Sequence, residues 1–396
     1  VRVSMGKSPD SFIISSLLRF IDAGEYLDCR WEITYDGGKC AEGSLSFTVP
    51  PMGTAHITIP EAAGRSDSDT YIRFIFTAKN GYSCFENGEE VCFDQIKIST
   101  AEKKPYPVTD KAPATTVTPL VYTVTAGDIS YSFNRRTAQF DKICVNGEDI
   151  LAAPMQYNFF RAPVDNDTMK GYLYRAHLDD YIIKVYETDL SAEGGCVVIR
   201  TKQSFGWSIY QPFARLQAEY RINGDGAMEI SCSADFSNKV EFLPRFGIRL
   251  FVPKSFSTVD YFGYGIYESY SDKHQASYIG NFRSDISDMH EDYIRPQENG
   301  SHWDCTRMSV TGGDVALTFT APDSFSFSAS EYTQEELARK AHNFELEKCE
   351  NNVICADFAM AGVGSAACGP ALAAEYRLPL PHVEGRLRMI PQKNIL

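Results

Sequence analysis

The feature that most constrains this chain is a period of two in its apolar residues. Near its start, Cys29, Trp31 and Ile33 alternate with polar neighbours, and the run stops at the hairpin signal Asp36-Gly37. Alternation of this kind is typical of strands that bury one face and leave the other in water. A pattern of roughly seven such strands in about 90 residues predicts a small β-sandwich over residues 1–100.

The same period resumes after residue 119 and continues for most of the chain, as in Tyr131/Phe133 and Phe246/Ile248. This stretch is too long for one immunoglobulin-sized module, and it predicts two broad antiparallel sheets over residues 119–380. Residues 101–118 have no apolar period and are rich in proline and threonine, so they are predicted to be a linker. Residues 381–396 are predicted to be a tail.

Helix signals are scarce. Thr333 and Glu336 have the spacing of a capping box, and Tyr332 and Leu337 have that of a hydrophobic staple. They predict one helix of about ten residues that begins at Gln334. No strand–helix alternation runs through the chain, whereas a (β/α)₈ barrel needs about 250 residues of it. The predicted fold class is therefore all-β.

Charge and cysteine content exclude several kinds of function. With 52 acidic against 38 basic residues, the net charge is −14. No basic face is indicated, so nucleic acid and anionic membranes are not expected partners. The 11 cysteines show no C-x-x-C spacing, which argues against a zinc knuckle. We expect buried thiols in a reducing compartment, and therefore a cytoplasmic protein.

Five segments contain most of the polar residues that could form a site. The first, Arg-Ala-Pro-Val-Asp-Asn-Asp at 161–167, follows an aromatic cluster and is predicted to form an ordered loop at the edge of a core. Arg161 lies four residues from Asp165, close enough for local pairing. The other segments are residues 265–273, 293–300, 325–330 with Tyr332, and 362–365 with Cys368-Gly369-Pro370.

In this order and spacing, the five segments resemble the C-terminal sandwich domain of the large bacterial β-galactosidases of glycoside hydrolase family 2. The resemblance covers about residues 119–380, and residues 1–100 resemble the immunoglobulin-like domain that precedes it. It implies an immunoglobulin-like β-sandwich followed by a large antiparallel β-sandwich of galactose-mutarotase-like type. The family places both catalytic glutamates in a barrel that this chain lacks, so no catalytic residue is expected here.

The resemblance also implies partners. These are the missing N-terminal domains of the same enzyme, a galactoside bound at a shared pocket, and further copies in a homo-oligomer. The family's magnesium and sodium sites would lie mainly in the missing barrel, so no cofactor or metal is expected in this chain. Asp165 and Asp167 mimic the opening of a calcium loop, but Met169 stands where the next oxygen ligand belongs.

The resemblance implies that nine residues line the rim of the carbohydrate pocket: Arg161, Asp165, Asn166, Asp167, Glu268, Tyr270, Glu298, Asn299 and His302. A purely structural interpretation stands beside it. In that interpretation Arg161 pairs with Asp165 or Asp167 to pin the loop, and Glu298 caps a turn. Lys273 replaces the arginine usual in the family, which keeps the charge but loses the two-pronged guanidinium fork.

A different class of function is a free-standing carbohydrate-binding module or a mutarotase-like aldose epimerase. Epimerase chemistry on a sugar hemiacetal uses a histidine acid and a glutamate base. His302 follows Glu298 by four residues, and His274 follows Glu268 by six. Histidine and glutamate residues that could act as acid and base are therefore present, although the sequence motifs of the mutarotases are not visible.

Overall fold

The computed structural model describes residues 1–62, 64–79, 84–102, 111–365 and 369–393. The chain divides into two compact units, one of Val1–Pro105 with Ile279–Asn281 and one of Tyr106–Tyr278 with Phe282–Leu396. Residues 103–110, the centre of the predicted linker, lie outside the described residues. In the part of the chain that is described, no helix is long and apolar enough to cross a membrane.

The described part of the smaller unit contains seven strands and one short helix. Their bounds are β1 (Arg2–Met5), β2 (Ser11–Ser15), α1 (Ala23–Tyr26), β3 (Leu27–Tyr35), β4 (Gly38–Leu45), β5 (Thr54–Thr58), β6 (Thr70–Ala78) and β7 (Glu90–Ser99). One sheet has the order β1-β2-β5 and the other β4-β3-β6-β7. The predicted pattern of about seven short antiparallel strands is thus observed.

The smaller unit is held together by apolar residues from both of its sheets. Phe12 of β2 and Phe74 of β6 meet edge to face, with ring centroids 5.0 Å apart, and Trp31 of β3 is buried in the same cluster. The turn between β3 and β4 has positive φ at both of its residues, 46° at Asp36 and 78° at Gly37. This backbone matches the twist of a two-residue hairpin and explains the Asp-Gly pair.

Seventeen strands form most of the described part of the chain from residue 111 onward. They are β8 (Ala114–Val117), β9 (Val121–Ala126), β10 (Ile129–Asn134), β11 (Gln139–Val145), β12 (Glu148–Asp149), β13 (Ala153–Asn158), β14 (Ile182–Glu193), β15 (Cys196–Gly206), β16 (Ala214–Ile222), β17 (Met228–Phe236), β18 (Arg245–Val252), β19 (Phe256–Gly265), β20 (Tyr278–Asp285), β21 (Ser301–Gly312), β22 (Val315–Ser330), β23 (Asn352–Met360) and β24 (His382–Lys393). Two α-helices, α2 (Lys170–Ala176) and α3 (Gln334–Arg339), and three 3₁₀ turns, Ile286–Met289, Asn343–Glu345 and Ala374–Tyr376, complete it.

Most of these strands belong to one large antiparallel sheet. Its main path has the order β13-β18-β23-β22-β24-β17-β16-β15-β14, and β19, β20 and β21 join through β22. A five-stranded sheet, β12-β11-β10-β9-β8, supplies the second layer. The prediction of an all-β chain with two broad antiparallel sheets is confirmed.

An aromatic core lies directly before the segment at 161–167. The ring of Phe159 lies 4.9 Å from that of Phe205 and is stacked 5.8 Å from that of Phe246, centroid to centroid. Phe159 is fully buried and Phe160 nearly so. The next residue, Arg161, is therefore anchored by the packing of its neighbours before any of its own polar contacts are considered.

The prediction of a tail over residues 381–396 is wrong. His382–Lys393 forms β24, which pairs with β17 on one side and β22 on the other. Val383, Leu387 and Met389 are buried, and this alternation was visible in the sequence. At the start of the chain's larger unit, Ala114–Val117 is a strand that pairs with β9, so ordered structure begins inside the predicted linker.

Two further predictions need correction. The helix at Gln334 is capped by Thr333, whose hydroxyl accepts from the Glu336 N–H at 3.1 Å, but it ends at Arg339 after six residues rather than about ten. Cysteine burial was also overestimated. Of the ten free cysteines among the described residues, five are buried, and Cys40 and Cys84 are exposed.

Candidate functional site

Four loops of the larger unit meet at one place, and we refer to residues 161–167, 268–273, 293–300 and 362–365 together as the loop cluster. They enclose a depression of about 350 Å³. Among its walls are Asn166, Tyr270, Lys273 and Glu298. Parts of four of the five segments singled out in the sequence therefore come together in space, while Cys368 lies outside the described residues.

The first loop is closed by a two-pronged ion pair. The Arg161 guanidinium, which has no exposed surface, donates to both carboxylate oxygens of Asp167 at 2.6 and 2.8 Å. Asp167 also accepts from the Val164 N–H at 2.7 Å. The sequence left Asp165 or Asp167 open as the partner, and the structure selects Asp167. These contacts hold the buried base of the loop in place.

Asp165 and Asn166, at the tip of the same loop, are exposed. Asp165 lies 2.9 Å from the Lys170 ammonium, with its side chain 55% exposed, and its N–H donates to the side chain of Gln297. Contacts as exposed as the one with Lys170 hold a side chain only weakly. The tip is thus presented to solvent while the base of the loop is locked.

Glu268 is the centre of a second network of hydrogen bonds. Its nearly buried carboxylate accepts from the Lys273 ammonium and the Tyr293 hydroxyl, and from the Gly300 N–H at 2.9 Å. Partial burial alone would lower the pKa of Lys273, but the hydrogen bond and charge of Glu268 raise it. A lysine therefore fulfils the pairing role here with a single point charge.

Asp272 joins the second loop to the fourth. Its carboxylate accepts from the N–H groups of Val363, Gly364 and Ser365, each at 2.8 Å, and from the Ser365 hydroxyl at 2.9 Å. A side chain at Gly362 would put its first carbon 2.5 Å from the Asp272 carboxyl carbon. Glycine is required at 362 because the carboxylate comes so close to the backbone.

Beneath the cluster lies a second ion pair, fully buried. Arg245 of β18 binds both carboxylate oxygens of Asp357 on the neighbouring β23. Sequence analysis missed this pair. The signal was a single charge within each of two apolar runs, Pro-Arg-Phe-Gly-Ile and Cys-Ala-Asp-Phe-Ala, since a strand buries a charge only with a partner.

Glu298 lies beside this pair and is almost completely buried. One carboxylate oxygen is 3.5 Å from Arg245 Nη1, and the other has no hydrogen-bond partner among the described residues. Burial raises the pKa of Glu298 to about 7, against the lowering effect of Arg245 and Arg161. The Tyr270 hydroxyl also lacks a partner within the described part, and burial raises the pKa of Tyr270 well above its usual value.

His302 and Asn299 do not reach the depression. The His302 ring lies 4.5 Å from that of Tyr261 and is stacked on Phe327, and its Nδ1 is 3.0 Å from the Tyr264 carbonyl oxygen. Burial lowers the pKa of His302 to about 4, so it is a neutral core residue. Asn299 binds the Glu291 N–H and the Gln297 carbonyl oxygen, which makes it a turn residue.

The loop cluster offers no obvious place for a metal ion. Within the ranges that the structure describes, no three His, Cys, Asp or Glu side chains are grouped so that they could hold one. Asp167, one of the two calcium-like carboxylates, is already engaged by Arg161. The loop cluster can therefore present exposed polar side chains, while its paired charges hold the loops in place.

Two family models match separate regions of the chain. Residues 125–389 match the family model described as the β-galactosidase small chain, and residues 12–99 match that of β-galactosidase domain 4. The chain is 29% identical over 391 residues to a β-galactosidase of Actinobacillus pleuropneumoniae, covering 98% of this chain and 38% of that protein. It is 30% identical over 263 residues to one of Staphylococcus xylosus, covering 64% of this chain and 26% of that protein.

These matches place the chain within the glycosidases as part of a longer enzyme. The chain belongs to the β-galactosidase small-chain family, and it corresponds to the C-terminal portion of a β-galactosidase. It spans little more than a third of the length of the Actinobacillus relative. Among solved structures, a putative aldose 1-epimerase of Escherichia coli K12 is similar at a TM-score of 0.40 and 9% identity, over 69% of this chain and 99% of that chain.

Proposed function

We propose that this chain is the non-catalytic part of a retaining β-galactosidase of glycoside hydrolase family 2, which hydrolyses terminal β-D-galactosides such as lactose. In this proposal the larger unit supports the catalytic barrel, and the loop cluster lines the rim of the carbohydrate pocket. The observation that supports it best is the division within one loop. Arg161 and Asp167 are buried and paired, whereas Asp165 and Asn166 face outward.

The contacts of the two glutamates in the loop cluster support a structural role for them. A retaining enzyme needs two carboxyl groups about 5 Å apart, one protonated and one free to attack the sugar. Glu268 already accepts from Lys273, Tyr293 and Gly300. Glu298 is almost completely buried. Both are better suited to holding loops in place than to reacting with a substrate.

The alternative of an aldose epimerase finds no support in the two histidines that suggested it. His302 is neutral and buried in an aromatic core. The His274 ring packs 4.7 Å from that of Trp303, and its Nδ1 is 3.0 Å from the Tyr270 carbonyl oxygen. Neither ring is presented to the depression beside a free glutamate, which acid–base chemistry would require.

The remaining parts of the proposal concern the protein's surroundings. Its partners would be the N-terminal domains of the same enzyme, a galactoside at the shared pocket and further copies in a homo-oligomer. The enzyme would be cytoplasmic, in keeping with ten free thiols among the described residues. Magnesium and sodium would be bound mainly by the barrel.

Hydrolysis of an aryl β-galactoside by the 396-residue chain tests the proposal. We expect no turnover above background, because the reacting glutamates are supplied by another part of the enzyme. Turnover that disappears in Glu268→Gln or Glu298→Gln would show that the chain carries its own active site. Asp189→Asn, on β14 outside the loop cluster, serves as the matched control.

A further inference from the structure

A second concave site lies outside the loop cluster. It is a groove of about 550 Å³ between α2, the segment after β15 and the segment after β17. Three aromatic rings line it, those of Tyr172, Trp207 and Tyr210, and we refer to it as the aromatic groove. Its volume is in the range of about 300 to 1,000 Å³ that small-molecule sites occupy.

Two of the rings are held in place by contacts with neighbouring residues. The Trp207 indole N–H donates to the His177 carbonyl oxygen at 3.0 Å, and its ring centroid lies 5.2 Å from that of Phe213. The Tyr172 hydroxyl accepts from the Glu241 N–H at 3.2 Å. A ligand that stacks on rings already fixed in orientation loses less entropy on binding.

The third ring is the most exposed. Tyr210 is 62% exposed and meets the Trp207 ring nearly at a right angle, with centroids 6.2 Å apart. The Lys239 ammonium lies 6.0 Å from its centroid. A ligand that covers such a ring removes its apolar surface from water, which favours binding.

Four charged side chains surround the rings: Arg175, Asp180, Lys239 and Glu241. All four are exposed, and none forms an ion pair with another residue of the described ranges. The chain pairs its charges freely elsewhere, as Arg200 does with Glu193 at 2.6 Å. The aromatic groove therefore has two acidic side chains that can accept hydrogen bonds and two basic side chains that can donate them, and these four do not pair with one another.

We propose that the aromatic groove binds a pyranose sugar at a site separate from the loop cluster. A pyranose has an apolar C–H face, whose positively polarised hydrogens are attracted to the electron-rich face of an aromatic ring. Its edge carries hydroxyl groups that both donate and accept, so Asp180 and Glu241 can accept while Arg175 and Lys239 donate. A single pyranose would therefore contact both the aromatic rings and the charged side chains of the groove.

Titration of the 396-residue chain with lactose and with galactose, followed by calorimetry and by saturation-transfer NMR, tests this proposal. We expect saturable binding with a dissociation constant of roughly millimolar size. Trp207→Ala and Asp180→Asn should each weaken it by about tenfold, through lost stacking and a lost charge-assisted hydrogen bond respectively. Tyr210→Ala, at an exposed position that does not threaten folding, should also weaken it.

Two controls locate the binding. Tyr186→Ala removes another exposed ring, 49% exposed on β14, and should leave the affinity unchanged. Asp189→Asn, on β14 and outside both the aromatic groove and the loop cluster, should also leave it unchanged. The proposal is overturned if neither sugar binds saturably. It is equally overturned if Asp165→Asn weakens binding while Trp207→Ala and Tyr210→Ala do not, because the sugar would then occupy the loop cluster.

Discussion

The loop cluster and the aromatic groove use charge in opposite ways. In and beneath the cluster, the buried carboxylates of Asp167, Glu268 and Asp357 are each engaged by a basic side chain. In the groove Asp180 and Glu241 form no ion pair with any described residue. Paired buried charges specify the shape of a backbone, whereas unpaired exposed charges beside rings are available to a ligand. The same residue types therefore indicate a framework in one region and a binding surface in the other.

The largest expected effect is on the buried pair of Arg245 and Asp357. Asp357→Asn leaves the Arg245 guanidinium without its main counter-charge at a position with no exposed surface. Removal of one partner of such a pair costs about 3 to 5 kcal/mol of unfolding free energy. Urea unfolding, monitored by circular dichroism, measures this change.

An exposed ion pair provides the matched control for that change. Lys202 and Glu187 lie 2.7 Å apart with both side chains more than half exposed. Glu187→Gln should cost less than about 1 kcal/mol, because water screens the pair. Equal effects of Asp357→Asn and Glu187→Gln would mean that the charge beneath the loop cluster is not part of its framework.

A pH-dependent effect of intermediate size is expected at Glu298. Its pKa is raised to about 7 in the folded chain, so the native state holds a proton that the unfolded state releases near pH 4.5. Folding stability should therefore fall as pH rises from about 4.5 to about 7. Glu298→Gln, which resembles the protonated form, should match the wild type at pH 4.5 and exceed it by up to about 3 kcal/mol above pH 7.

Urea unfolding of both proteins across this pH range measures the difference. The titration of His302 changes folding stability with pH in the opposite direction. Its pKa is lowered to about 4, so its contribution is lost as pH falls from about 6.5 to 4. Because His302 is present in both proteins, its effect cancels in the comparison. A difference that does not change with pH would show that Glu298 is ionised in the native state at every pH tested.

The sequence patterns of this chain predict its individual strands better than they predict which strands pair with each other. The alternation in β3 and the Asp36-Gly37 turn are local signals, and both led to correct predictions. β24 alternates just as clearly, but its partners β17 and β22 lie far away in the chain. Periodicity alone therefore did not distinguish a central strand from a tail.

The site was partly predictable for the same reason. Asp165, Asp167 and Glu268 could be chosen because turn-forming runs of charge beside aromatic residues need a polar environment. The buried pair of Arg245 and Asp357 could not be chosen in this way, because a charge within an apolar run does not identify its partner in another strand. Only the pairing of β18 with β23 brings the two together.

We propose that the loop at 161–167 has a structural base and an outward-facing tip. Measuring kcat/KM and the melting temperature together, in the longer enzyme that we propose carries this chain, tests this division. Asp165→Asn and Asn166→Ala should lower kcat/KM with the melting temperature within about 1 °C of wild type, since exposed substitutions change stability by less than about 0.5 kcal/mol. Asp167→Asn should lower the melting temperature by several degrees, because Arg161 loses its buried partner. If the tip variants lower the melting temperature while kcat/KM stays at the wild-type value, the account is contradicted.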